Sequence, residues 1–202
     1  MARQQGKSFI NGIMGSYVAL FGNYNYGKLF TASTKRRQAR IAWEEIAKFI
    51  NIDEDLQELF EVKDYKSLIV CNVTNCTIEA LSKEGGLEDG HRSIFSSLDE
   101  LHQIPTNHVY KALYNGTRSL KETLVSMITT RGFDMNTESF SFSMDNYAVS
   151  ILEGTVTAED FFADIYCLDK GDDIFDERNY IKANPYLATF KEGMEILRQD
   201  AQ

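Results

Sequence analysis

A chain of 202 residues can bury one good-sized core, or one domain with a small appendage. Its 43% hydrophobic and 25% charged content, with two prolines, excludes a disordered chain. The net charge of −9 excludes a large basic face for unspecific nucleic-acid binding, so any such contact has to be local.

The chain opens on Ala2-Arg3-Gln4-Gln5-Gly6-Lys7-Ser8, and residues 9–20 then read as a helix. Gly-Lys-Ser entering a helix is the core of a P-loop. Backbone N–H groups cradle phosphate there, Lys reaches the β/γ-phosphates and the Ser hydroxyl reaches Mg2+. The first glycine of the pattern is absent, with Met1 in its place. Arg3 and Lys7 ahead of an apolar run imitate a secretion signal, but Asn11, Gly12, Gly15 and Ser16 interrupt it. No stretch is long or apolar enough to span a membrane.

After a turn-rich segment at 22–27, residues 29–33 read as a strand and 35–50 as a helix, with Ala39, Ala42, Trp43, Ile46 and Phe49 at helical spacing. Lys35, Arg36 and Arg37 at its start form the densest basic cluster: a solvated helix face, or contacts to a DNA backbone. Residues 53–60 read as a short acidic helix, and 68–73 with 77–81 as a hairpin turning at Thr74-Asn75-Cys76. Cys71, Cys76 and Cys167 match no zinc spacing and read as reduced thiols, Cys71 and Cys167 as core filling in apolar runs.

A glycine-rich loop at 84–90 leads into residues 93–102, SIFSSLDELH. Ile94, Phe95 and Leu98 suit a short buried strand, which runs straight into Asp99 and Glu100. Free charges do not sit inside such a strand, so they belong at its carboxyl end, where open α/β sheets bind ligands. An apolar strand ending in Asp-Glu is the Walker B pattern, in which Asp holds Mg2+ and Glu polarises the attacking water. The same letters also open ordinary surface turns.

Downstream, 106–114 reads as a helix stopping at Asn115-Gly116. Residues 124–130 read as a strand, 140–152 as a helix stopping at Gly154, and 161–168 as another strand. An acidic turn follows at Asp169, Asp172, Asp173 and Asp176, and 189–199 is the last helix. Strands alternating with helices imply a largely parallel α/β sheet. The P-loop and the Walker B strand together make a case for an ATPase that uses ATP and Mg2+.

At this point the chain resembles a known family, the large subunit of tailed-bacteriophage terminase. Residues 2–8 are similar to that family's deviant P-loop, with an early Arg and the first glycine lost. FTASTKRRQAR at 30–40 is similar to the strand and helix start that follow it, and SLDELH at 97–102 to its Walker B segment. VSMITTRG at 125–132 resembles its coupling motif, although Arg131 stands where a small residue is expected. Residues 166–185, with LDKGDD and IKANP, resemble the linker after the ATPase core.

The resemblance implies a P-loop NTPase fold, a mostly parallel sheet flanked by helices. Residues 1–154 would be the ATPase core and 155–202 a small linker or lid subdomain. The chain begins almost at the P-loop, so the expectation is a fragment that lacks the preceding strand, the upstream adenine-contacting motif and the downstream nuclease domain. Alone, such a fragment is expected to aggregate or stay partly unfolded, because strands keep unpaired edges. The implied function is the ATP-hydrolysing motor that drives viral DNA into the prohead, in the host cell cytoplasm. Its partners would be double-stranded DNA, the terminase small subunit, the portal protein and further copies in a ring, with no membrane.

In roles, Arg3, Gln4, Gln5, Gly6, Lys7 and Ser8 would bind the nucleotide, Ser8 and Asp99 would hold Mg2+, and Glu100 would be the general base. Arg3 would stabilise transition-state charge, or be a solvated side chain. Thr129 and Thr130 would sense the γ-phosphate, or be strand-end hydroxyls bonded to backbone. Two other readings compete: a DExH-type helicase, from Asp99-Glu100-Leu101-His102, and an inactive truncated remnant that only binds partners.

Overall fold

The computed structural model of the chain describes residues 4–82, 91–104, 106–130 and 137–201. The chain divides into two compact units, Lys7–Ile128 and Met1–Gly6 with Thr129–Gln202. Arg3, Arg131 and the glycine-rich loop at 84–90 lie outside the described residues.

The unit Lys7–Ile128 is built on a six-stranded sheet: β1 (Lys28–Ser33), β2 (Phe60–Lys63), β3 (Leu68–Cys71), β4 (Thr77–Ser82), β5 (Phe95–Leu98) and β6 (Leu124–Met127), in the order β2-β3-β4-β1-β5-β6. The pairs β4–β1, β1–β5 and β5–β6 are parallel, whereas β2–β3 and β3–β4 are antiparallel. Parallel strands share a direction, so β1, β4, β5 and β6 all end at one edge of the sheet. The expected hairpin is β3–β4, and its turn places Asn75 in the left-handed region (φ 58°), which Asn tolerates well. The short strand β2, which extends the hairpin, carries Glu61 and Lys63 and was not expected from the sequence.

Two helices cover the core. In α2 (Arg36–Ile52), Ala39, Ala42, Trp43, Ile46, Ala47 and Ile50 are buried at helical spacing. Trp43 is fully buried, and its indole N–H donates to the Ile78 carbonyl at 3.2 Å. Asp53 ends α2 and caps α3 (Glu54–Leu59), its carboxylate accepting from the Leu56 N–H. The helix α1 (Lys7–Phe21) is unusual because its buried residues are small or polar: Asn11, Gly12, Gly15, Ser16 and Ala19. A Cβ on Gly12 would stand 3.3 Å from the Ile46 side chain, and one on Gly15 3.3 Å from the Phe95 ring. These residues let α1 lie very close to α2 and β5. Phe9, Ile13, Tyr17 and Phe21 face outward instead.

The helix α4 (His108–Thr117) corrects the expected stop at Asn115-Gly116, because it runs on through Thr117. Gly116 is needed for contact, not for a left-handed cap. A Cβ there would stand 1.8 Å from the His91 carbonyl oxygen, so the backbones meet where only glycine fits.

The second unit contains α5 (Phe140–Leu152), α6 (Tyr180–Ala183) and α7 (Lys191–Asp200). Ser139 caps α5, and Gly154 follows it at φ 73°, the left-handed stop expected there. Tyr180, Leu187 and Leu197 form a small core. Lys182 bonds Asp169 at 2.7 Å and Asp172 at 2.8 Å, so the acidic turn is partly neutralised internally. Arg178 holds the Asp176 carboxyl down to about 2.

The expected strand at 161–168 is absent. Its side chains alternate in exposure, but among the described residues no neighbouring strand pairs with it, and Phe162 is 88% exposed. Cys167 is accordingly exposed and does not fill a core, while Cys71 and Cys76 are buried. Among the described residues no helix is long and apolar enough to cross a membrane.

Candidate functional site

All four residues of β5 are buried, so Asp99 is the first position after it where a charge can stand. Two donors meet its carboxylate: the Ser8 hydroxyl at 2.8 Å and the Glu100 N–H at 2.8 Å. Ser8 lies in the first turn of α1, so this bond joins the start of that helix to the end of β5 across 91 residues of sequence. Burial pushes the Asp99 carboxyl above the usual carboxylate range, and the neighbouring Glu100 charge adds to the effect. The Ser8 and Glu100 donors and the Lys7 charge oppose it without cancelling it. A partly buried carboxylate short of positive charge, paired with a hydroxyl oxygen, suits a hard divalent cation, so the residues present fit Mg2+.

Glu100 follows in the left-handed region, at φ 51° and ψ 54°. For a side chain with a Cβ this conformation costs about 1–3 kcal/mol and recurs at functional sites. It heads the turn Leu101–Gln103, which brings His102 Nδ1 to 3.1 Å from Glu100 Oε2. His102 therefore has a partner that its place in the sequence did not suggest. A residue two positions away reaches back because the chain turns tightly here.

In the second unit, Gln4 (φ 57°) and Gly6 (φ 75°) adopt left-handed backbone, the kind of alternation that turns successive N–H groups into a concave anion cradle. Nothing lies within 4 Å of a Cβ placed on Gly6, so its conformation, and not crowding, calls for glycine. The Gln5 side chain is turned elsewhere. Its oxygen accepts from the Tyr186 N–H at 2.9 Å and the Leu187 N–H at 3.3 Å. Its amide nitrogen donates to Asn184 Oδ1 at 3.4 Å, so the side chain is engaged with residues 184–187. Thr129 donates to the Thr130 carbonyl at 2.7 Å. The strand itself stops at Met127, three residues short of the expected end.

Within the larger unit, Lys7, Ser8, Asp99 and Glu100 gather at the carboxyl edge of the sheet. Lys35, Arg36 and Arg37 do not join them in contact; they are exposed where α2 begins, just past the end of β1. Gln38, next along α2, bonds Ser33 at 3.1 Å and donates to Gln103 in the turn after Glu100. Sequence reasoning missed His102 and Asn11. Asn11 stands three residues after Ser8 and so on the same helix face, a spacing that could have marked it.

Residues 1–144 match the family model for the ATPase domain of the terminase large subunit. The chain belongs to this family. It is 24% identical to the terminase large subunit of Enterobacteria phage HK97, over 98% of this chain and 39% of that protein. It is 31% identical over 111 residues to the protein YmfN of Escherichia coli strain K12, covering 55% of this chain and 23% of YmfN. The crystal structure of the HK97 large terminase superposes with a TM-score of 0.82 at 22% identity, over 100% of this chain and 41% of that one. The large terminase ATPase domain of Thermus phage P74-26 gives 0.52 at 20% identity, over 65% of this chain and 58% of that one. The fold of this terminase domain is thus the α/β sheet with flanking helices of those structures. The chain spans about two fifths of the HK97 protein and less of YmfN.

Proposed function

We propose that the chain is the ATP-hydrolysing motor domain of a terminase that drives viral DNA into a prohead. What carries the reading is the 2.8 Å hydrogen bond between Ser8 and Asp99, a hydroxyl and a carboxylate of the kinds that hold Mg2+ in P-loop enzymes. Lys7, the backbone N–H groups of residues 4–8 and Arg3 bind the phosphates of ATP. Ser8 and Asp99 hold Mg2+, which when bound neutralises charge on the phosphate oxygens. Glu100 accepts a proton from water as the water oxygen bonds to the γ-phosphorus. The bond from that phosphorus to the β–γ bridging oxygen breaks, leaving ADP and phosphate. His102, bonded to Glu100, fixes the carboxylate's direction. Arg3 supplies positive charge to the transition state, and Thr129 and Thr130 relay loss of the γ-phosphate.

Lys35, Arg36 and Arg37 are exposed at a helix start and contact the DNA backbone. Residues 1–154 act as the ATPase core and 155–202 as a linker toward a nuclease domain. The partners are double-stranded viral DNA, a small subunit, a portal protein and further copies in a ring, in the host cell cytoplasm. The deciding experiment compares Glu100→Gln with Lys7→Ala. Glu100→Gln is expected to abolish phosphate release while ATP binding stays near the parent's, since the phosphate cradle and the metal pair are untouched. Lys7→Ala is expected to weaken binding itself. Hydrolysis at the parent rate by the Glu100→Gln protein would remove Glu100 from the role of base.

A further inference from the structure

The site as read above leaves Asn11 without a role. Its side chain is 4% exposed on the inner face of α1. The amide nitrogen donates to Ser97 Oγ at 2.5 Å, and the amide oxygen accepts from Ser126 Oγ at 2.5 Å. Ser97 and Ser126 are direct partners in the β5–β6 ladder. One amide therefore joins the P-loop helix to the Walker B strand and to the strand beyond it.

The other buried residues of α1 cannot fix its position in this way. Gly12, Gly15 and Ala19 offer a smooth surface that allows close approach but does not resist sliding. The Ser16 hydroxyl has no hydrogen-bond partner among the described residues. Spacing gives Asn11 its meaning. Residues two apart on a strand share a face, as do residues three apart on a helix. Ser8 meets Asp99 while Asn11 meets Ser97, so α1 runs antiparallel to β5 and is held by two rungs. The rungs are separated by about 4.5 Å along the helix and about 6.6 Å along the strand. The Ser8 rung is also the candidate Mg2+ pair, so its hydrogen bond is exchanged when both oxygens face a cation. The Asn11 rung is not exchanged.

We propose that Asn11 is a positioning residue that keeps α1 in register on β5 and β6, and so holds Ser8 and Asp99 at the separation a divalent cation needs. The inference rests on the reading of Ser8 and Asp99 as the Mg2+ pair. The measurement is binding of a fluorescent ADP analogue with Mg2+ and with EDTA, beside thermal melts. Asn11→Leu is expected to lower the affinity gained from Mg2+ about 10-fold while binding in EDTA is unchanged. It also leaves the buried Ser97 hydroxyl and the half-buried Ser126 hydroxyl without that partner. Adding Ser97→Ala and Ser126→Ala removes those hydroxyls and is expected to return the melting temperature toward the parent's, while the Mg2+ gain stays low. Ser126→Ala alone, a small change at the end of the bridge, is expected to give an intermediate loss. A merely structural role predicts the opposite for the triple variant, with stability and Mg2+ gain recovering together, and that result overturns the proposal. Ser8→Ala and Asp99→Asn separate the two levels. If they abolish the gain while the Asn11 variants keep it, this inference alone fails. If they too keep it, the Mg2+ pair is wrong and the inference falls with it.

Discussion

Asp99 is held in a state that suits a ligand better than it suits the fold. Burial raises its pKa, and the Ser8 hydroxyl and one N–H supply too little compensation. Replacing the carboxylate by an amide of the same shape removes the poorly solvated charge and keeps a partner for both contacts. Asp99→Asn is therefore expected to melt at the same or a higher temperature than the parent in EDTA, and to lose the rise that Mg2+ with nucleotide gives the parent. A lower melting temperature in EDTA would mean that the carboxylate supports the fold. Such a trade of stability for activity is ordinary at functional sites. The Asp-Glu pair was legible in the sequence because an apolar strand cannot contain it. The partners of that pair's surroundings were less so. His102 reaches Glu100 only through a left-handed residue and a tight turn, and Asn11 reaches two strands that the chain adds much later.

At the scale of the element, periodicity carried α2, and glycine carried information of two kinds. Gly154 ends a helix through its backbone angle, as its position after Leu152 suggested. Gly116 was read the same way and does something else, because its need arises from His91, a contact outside any local window. Gly116→Ala has to push α4 off the strand that follows His91, so it is expected to destabilise by about 1–3 kcal/mol or more. Chemical denaturation checks this, and a parent-like midpoint would show that the two backbones separate freely. The segment at 161–168 shows the limit of period-two patterning. Alternation describes an extended chain, whereas a strand requires a neighbour with free N–H and C=O groups, which pattern alone does not supply.

Over the whole molecule, a net charge of −9 opposes polyanions, so a DNA contact has to come from a local cluster. If Lys35, Arg36 and Arg37 each neutralise a phosphate, replacing all three by Ala is expected to reduce the salt slope of DNA affinity by about 2–3 units. Fluorescence anisotropy across a salt series reads this, and an unchanged slope would return the cluster to the role of a solvated helix face. The order of the sheet has a separate consequence for synthesis. β1 is made before both of its neighbours but lies between β4 and β5, with Leu29 paired to Ile78 on one side and Phe95 on the other. At about 5–20 residues per second, both neighbours of β1 become available only about 3–13 s after it leaves the ribosome. Until then Leu29, Phe30 and Ala32, almost fully buried at the end, stay exposed on a strand with two open edges. β1 is thus vulnerable until its neighbours follow, and a holding chaperone should bind there before Leu98 has emerged.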